Sequence, residues 1–363
     1  MTANREARED NATATDRRNT TSFDIDLQKI VDENSHRNYF DLTADIVVGV
    51  DGSAESFAAL RWALRQAAMT GQHVNAVYGW TYSWDMGPEP TTDEDIRKVR
   101  TEINNRLREW VDEATRDFDV ADEQIKLTSY RSSGSAALLE IGANAQQIVV
   151  GRRSMGRVAR WIAGSMSASL AEESPVPVTV IRVPDDDDLS VQDQIASSLT
   201  PGDQTVHYEL PTSPVPRTSR PIVVGVDGSP DSRHALEFAA SLARLHDSPL
   251  HVMYCWQFRD LGTVPGYETT VPPMPAAQHY ADQRVRDFVA SFDGTTLPRL
   301  PEGLEIIPEA FHIPAGKGLV SASRYARHIV VGSRGLSGLD AHFLGSISKQ
   351  VLNSAECNLT IVH

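Results

Sequence analysis

Ile46-Val47-Val48-Gly49-Val50-Asp51-Gly52-Ser53 decides the fold, because the same residues return as Ile222-Val223-Val224-Gly225-Val226-Asp227-Gly228-Ser229. A short apolar run rich in β-branched residues and ended by Asp-Gly-Ser reads as a buried strand followed by a turn. Phe57, Leu60, Leu64 and Ala67 then recur at helical spacing, and Gly71 closes that helix. A chain that says the same thing twice is an internal duplication, and each half can be read against the other.

Working outward, residues 74–80 read as a second strand and residues 96–118 as a long amphipathic helix marked by Ile103, Leu107, Trp110 and Ala114. A third strand at 125–130, a helix at 136–145, a fourth strand at 148–151 and a fifth at 176–183 complete the first copy. In the second copy the strands fall at 222–225, 250–256, 304–311, 329–332 and 359–362, with a helix at 280–292. Pro308 interrupts the third of these strands. Alternating strands and helices demand crossovers, so the expected class is α/β: two tandem copies of a five-stranded, mostly parallel sheet with helices on both faces. In such sheets ligands sit outside the carboxyl ends of the strands, where the strand order reverses. The copies span residues 45–183 and 221–363. Residues 184–220, with the carboxylate run Asp185 to Asp188 and Pro201, Pro211, Pro214 and Pro216, form a solvated linker. Residues 1–44 are a polar extension, disordered over its first twenty residues, with Phe23, Ile25, Leu27, Ile30 and Val31 able to form a short docking helix.

Composition removes several functions. At 363 residues the chain has room for two ordinary domains, and a net charge of −15 argues against a nucleic-acid partner, which needs a basic face. No apolar run is long enough for a membrane span, and the N-terminus lacks the apolar core of a secretory signal. Two cysteines, Cys255 and Cys357, have no metal-type spacing and suit a reducing cytoplasm, where each is a small buried apolar residue.

The second repeated feature carries the chemistry. Behind an Ile-Val-Val strand stands Gly332-Ser333-Arg334-Gly335, and after nine more residues Gly345-Ser346 opens a helix. Glycines allow positive φ and let a bulky anion approach the main chain, and N–H groups at a helix start attract negative charge. The first copy has Gly151-Arg152-Arg153-Ser154 and then Gly164-Ser165 at the same spacing. Asp51 and Asp227 lie at carboxyl strand ends and can share a crevice with these loops. An Asp carboxylate accepts from a ribose hydroxyl or holds a divalent ion; Ser346 and Ser348 can donate to phosphate oxygens, and Arg334 supplies positive charge.

With the Val-Asp-Gly-Ser strand end and the Gly-x2-Gly-x9-Gly-Ser loop in place, the chain resembles the universal stress protein family, as a tandem of two family domains. The resemblance implies an adenine nucleotide α-hydrolase-like fold and, for its nucleotide-binding form, ATP with Mg2+. Transferred to this chain, it implies a site of Asp227, Gly228, Leu250, Val331, Gly332, Arg334, Gly335, Gly345, Ser346, Ile347 and Ser348, with Asp227 as the candidate metal ligand. The first-copy candidates are Asp51, Gly52, Val74, Gly151, Gly164, Ser165 and Ser167. That copy departs from the pattern: Ser154 replaces the loop glycine, the nearest glycine is Gly156, and Arg152, Arg153, Arg157 and Arg160 are added, which could rescue anion binding or pair with carboxylates elsewhere. If the turn needs positive φ, serine there costs about 1 kcal/mol or more. The family's habit of pairing fifth strands implies that the two copies form an intrachain pseudo-dimer, with a higher homo-oligomer open.

Function is expected to be that of a cytoplasmic ATP-binding stress-response protein in which nucleotide alters the glycine loops and, through them, an unidentified protein partner. The rival is a nucleotide-free interaction scaffold whose glycines serve packing. Slow ATP hydrolysis, or autophosphorylation at Ser346 or Ser348, is a third reading. No G-x4-G-K-[ST] loop occurs, the histidines lack metal spacing, and no poised base or nucleophile stands beside the phosphates, although His342 lies within the loop.

Overall fold

The computed structural model describes residues 42–82, 91–116, 122–152, 165–183, 220–292, 299–335 and 344–363. The N-terminal docking helix, nearly all of the linker, Arg153, Ser154, Gly156, Arg157, Arg160, Gly164 and His342 lie outside them. In the first copy the strands are β1 (Ile46–Gly49), β2 (Val74–Gly79), β3 (Ile125–Tyr130), β4 (Gln147–Arg152) and β5 (Val178–Arg182), with helices α1 (Ala54–Thr70), α2 (Asp93–Thr115), α3 (Gly134–Gly142) and α4 (Ser165–Glu173). In the second they are β6 (Ile222–Gly225), β7 (Leu250–Cys255), β8 (Ile306–Phe311), β9 (His328–Gly332) and β10 (Asn358–Val362), with α5 (Pro230–Leu245), α6 (Met274–Ala290), α7 (Ala315–Ala322) and α8 (Ser346–Ser354).

These strands form one sheet ordered β3-β2-β1-β4-β5-β10-β9-β6-β7-β8. Within each copy the pairs are parallel, and the register is duplicated: Ile46 faces Val74 and Gln147, as Ile222 faces Leu250 and His328. The all-apolar strands follow from burial on both faces. One layer, which includes Leu60, Leu107, Leu236 and Phe288, packs α1, α2, α5 and α6 on one face. The other, with Leu138, Leu170, Leu319 and Val351, packs α3, α4, α7 and α8 on the opposite face. Pro308 stays within β8 because that strand is an edge, where a missing N–H leaves no ladder partner unsatisfied on the outer side. Gly71 ends α1 at φ 77°, the left-handed closure its position suggests.

The copies meet at β5 and β10, which pair antiparallel with Thr179 opposite Thr360. A chain of buried side chains crosses this seam. Thr179 Oγ1 donates to Gln147 Oε1 at 2.6 Å, the two threonine hydroxyls lie 2.8 Å apart, and Thr360 Oγ1 lies 2.8 Å from His328 Nε2. Gln147 and His328 open the equivalent strands β4 and β9, so the chain is nearly two-fold symmetric with one imidazole replacing one amide. On the α1 face, Gln66 Nε2 sits 2.7 Å from His246 Nε2.

Arg152 belongs to this seam. Its guanidinium donates to the carbonyls of Asn353 and Ala355, at the C-terminus of α8 in the other copy. A cation there meets the negative end of the helix dipole and satisfies carbonyls that have no intrahelical donor. The sequence-based option of Arg152 as an anion ligand is therefore corrected: its donors point across the seam. Arg152→Ala should lower stability by about 1–2 kcal/mol. A urea midpoint indistinguishable from wild type would contradict that role.

Candidate functional site

In each copy β1/β6 and β4/β9 are neighbours at the point where strand order reverses, and their carboxyl ends define the crevice. In the second copy the Asp-Gly-Ser turn is built first. Asp227 Oδ1 accepts from Ser229 N at 2.9 Å, and Gly228 sits at φ 87°. Ser229 then caps α5 by accepting from Ser232 N at 3.2 Å, while Ser232 Oγ donates to Ser229 O at 2.8 Å. Asp51, Gly52, Ser53 and Ser56 repeat this arrangement, with Gly52 at φ 83°. The serine is the helix cap in both copies; the aspartate holds the turn before it with one oxygen.

The β9 loop comes down onto this turn. A Cβ added to Gly335 would lie 2.7 Å from Asp227 Oδ2, and one added to Gly345 would lie 3.2 Å from Ser333 O. Gly345 N donates to Ser333 O at 2.8 Å, which ties the start of α8 to the loop leaving β9. Asp227, Gly335 and Gly345 thus converge at one carboxyl edge. Contrary to the expectation of positive φ in this loop, neither Gly335 nor Gly345 has it, and Gly345 sits at φ −59°. These glycines are required for space, not for a left-handed backbone. Gly345 precedes α8 as an N-cap residue with no side chain to cap it, so among the described residues no N-cap side chain occupies the first-turn N–H groups.

Asp231, in the first turn of α5, anchors the loop. Its Oδ2 accepts from Ser333 Oγ at 3.0 Å, from Arg334 N at 3.0 Å and from Arg334 Nε at 3.2 Å. Arg334 is thereby held at the edge of the site by a carboxylate the sequence reading did not assign to it. Gly332 and Gly151 are explained by packing. A Cβ on Gly332 would lie 2.9 Å from the main-chain carbon of Asp231, and one on Gly151 would run into the main chain of Glu55, so strand four can pass under the helix start only as glycine.

Several expected residues do not join the cluster. Val74 and Leu250 are the first residues of β2 and β7, fully buried at the amino edge of the sheet. Over six residues a strand rises ~17–20 Å, so they sit at the wrong end. The residues that reach the crevice edge are Gly79 and Cys255. Ser348 is buried and donates to Gly332 O at 2.6 Å, which ties α8 to β9 and leaves that proton unavailable to a phosphate. Ser167 is likewise buried, and Val331 is core. Ser346 and Ile347 are exposed on the first turn of α8, and Ser165 opens α4. Between the copies Gly79 and Cys255 form half of a compensated pair. A Cβ on Gly79 would meet Ala137 at 2.9 Å, whereas Cys255 Sγ packs where a Cβ on Gly318 would be, at 2.6 Å. Burial raises the thiols of Cys255 and Cys357 to about 12, so neither is a nucleophile near neutrality.

In the first copy a cavity of about 70 Å³ lies among Asp51, Tyr78, Gly79, Gly134, Gly151 and Met166. Small-molecule pockets begin at about 300 Å³, so this space holds only a fragment of a nucleotide. For the metal, Asp227 contributes one carboxylate, and among the described residues no group of three His, Cys, Asp or Glu could hold an ion. Mg2+ fits here only as an ion carried largely by phosphate oxygens and water.

An α/β sheet doubled about its fifth strands, with a glycine-lined crevice at each switch point, defines the class of molecule. The universal stress protein family model matches residues 44–182 and 218–363. The chain belongs to the universal stress protein family. Among similar proteins, a universal stress protein of Mycobacterium tuberculosis strain H37Rv is 29% identical over 318 residues, covering 85% of this chain and 94% of that one. One from Mycolicibacterium smegmatis is 28% identical over 327 residues, covering 87% and 96%. The crystal structure of a universal stress protein from Archaeoglobus fulgidus superposes with a TM-score of 0.55 at 16% identity, covering 88% of this chain and 97% of that one. Among the described residues no helix is long and apolar enough to cross a membrane.

Proposed function

We propose that the second copy binds an adenine nucleotide, ATP with Mg2+, at the carboxyl edge of β6 and β9, and that the protein is a nucleotide-dependent regulatory module of the cytoplasm. The observation that carries this reading is the convergence of Asp227, Gly335 and Gly345 beneath the uncapped start of α8. Phosphate oxygens would take the N–H groups of Ser346 and Ile347 and the hydroxyl of Ser346. Asp227 Oδ1 accepts from the turn, and Oδ2 lies on the Gly335 side of the carboxylate, where a ribose hydroxyl or a phosphate-held cation would meet it. Nucleotide in this position would act on the β9 loop through Arg334 and Gly335, and that change is what a partner protein would read.

The rival reading, a scaffold with no nucleotide, draws support from Gly332 and Gly151, both explained by helix packing alone. Gly335 separates the two, since its missing Cβ faces only a carboxylate and not a packed main chain. Equilibrium dialysis with ATP and Mg2+ tests the proposal through Asp227→Asn. The variant keeps an acceptor for the turn but loses the charge, and affinity should fall about tenfold, equivalent to about 1.4 kcal/mol. Equal retention by wild type and variant would remove Asp227 from the site; no retention by wild type would favour the scaffold.

A further inference from the structure

The two crevices differ in one side chain that none of the repeat motifs flags. Met166 is the second residue of α4 and lines the first-copy cavity together with Asp51 and Gly151. Its Cε lies 2.7 Å, and its Sδ 3.9 Å, from where a Cβ on Gly134 would be. The methyl therefore rests on the main chain of the first residue of α3, a position only glycine leaves open. The second copy inverts both partners. Ile347 stands at the place of Met166, the two being similarly exposed (40% and 36%), and Ala315, the first residue of α7, stands at the place of Gly134 and carries a methyl, so the copies differ in what the side chain rests on. Methionine is unbranched with three rotatable bonds and can fold into an irregular gap. Isoleucine is branched at Cβ, stiff at χ1 and one bond shorter, so it cannot make the same reach.

Resting on the proposed nucleotide site, we infer that Met166, seated on Gly134, is a stopper that closes the first-copy crevice to nucleotide and makes the two copies of the chain unequal. The Asp-Gly-Ser turns of the two copies share the bond from the serine N–H to the aspartate and the serine helix cap, and the first copy adds a bond from Ser53 Oγ to Asp51 Oδ1. Besides Ser154, which stands where the second copy has Gly335, a difference lies in volume: the Met166 thioether lines the 70 Å³ cavity and takes up space at its wall. The pair Met166/Gly134 is therefore a specificity determinant, deciding which copy accepts ligand and not how ligand is held.

Two substitutions reach the same end by different routes. Met166→Ala removes Cγ, Sδ and Cε. Gly134→Ala leaves the methionine in place but puts a methyl where its Cε rests, and the flexible end of the side chain must swing out. The probe is ATP with Mg2+, and the readout is the number of nucleotides bound to the full-length chain by calorimetry, with thermal melting as a check on folding. Wild type is expected to bind one, and each variant two. In a Gly335→Val background, where the second copy is silenced, Met166→Ala should restore one. Variants that fold and still bind one, or a wild type that binds two, would overturn the stopper. If wild type binds none, the second-copy site fails; the stopper then stands or falls on whether Met166→Ala creates binding where there was none.

Discussion

Replacing Gly335 by valine should weaken ATP binding roughly 30- to 150-fold, equivalent to about 2–3 kcal/mol. The basis is distance. A Cβ at this position falls 2.7 Å from Asp227 Oδ2, closer than real Cβ atoms approach anything, and valine adds two further methyls. Either the loop lifts away from β6 or the carboxylate turns out of the crevice, and each move dismantles the convergence on which binding rests. The fold should survive, because the clash is with one carboxylate at the rim and not with packed main chain; the melting temperature serves as the control. By contrast, Gly332→Val drives atoms into the main chain of α5 and should unfold the second copy outright. Unaltered affinity in Gly335→Val, with an unaltered melt, would move the site elsewhere.

Acid should destabilise the seam between the copies, and most of that effect should trace to His328. Burial, followed by the nearby His246 and Arg327, lowers its imidazole from 6.5 to about 3, so the folded protein holds it neutral. The unfolded chain takes up a proton below pH 6.5 and the folded one does not. Stability from this group is therefore complete above pH 6.5 and declines as pH falls towards 3. Between pH 7 and pH 4 the loss is about 3 kcal/mol. His246, lowered to about 4 by burial and Arg327, acts in the same direction. Acidic side chains titrate over the same range, so the informative quantity is a difference. Gln147 occupies the equivalent position in the first copy, which makes His328→Gln the natural replacement. Urea midpoints for wild type should fall more steeply than those for the variant between pH 7 and pH 4; parallel curves would remove His328 as the cause.

How far the sequence could be read depended on whether a feature repeats. Ile46–Gly49 and Ile222–Gly225 are identical, and the duplicated strand-helix succession leads directly to a parallel α/β sheet in each half. The pairing of β5 with β10 was expected from the resemblance to a family whose domains pair through their fifth strands, and covering a Val/Ile edge gives it a physical reason. Val74 and Leu250 entered the expected site by transfer from the family, as the residues opening the second strand, and an apolar residue that opens a strand looks the same as one that closes it until the carboxyl edge is fixed. Asp231 was invisible as an anchor because its partners Ser333 and Arg334 lie about a hundred residues away and nothing local records the contact. Ser348 was read by composition as a phosphate donor, yet burial against Gly332 O determines its role. Met166 carried a signal only by comparison, since it departs from Ile347 at the same step of a repeated motif as Gly134 departs from Ala315.

Calorimetric titration of the full-length chain with ATP and Mg2+ tests the central claim most directly. The account predicts a saturable heat corresponding to one nucleotide per chain, accompanied by a rise in melting temperature, with the affinity lowered roughly 30- to 150-fold by Gly335→Val. No heat and no thermal shift at millimolar nucleotide would contradict it.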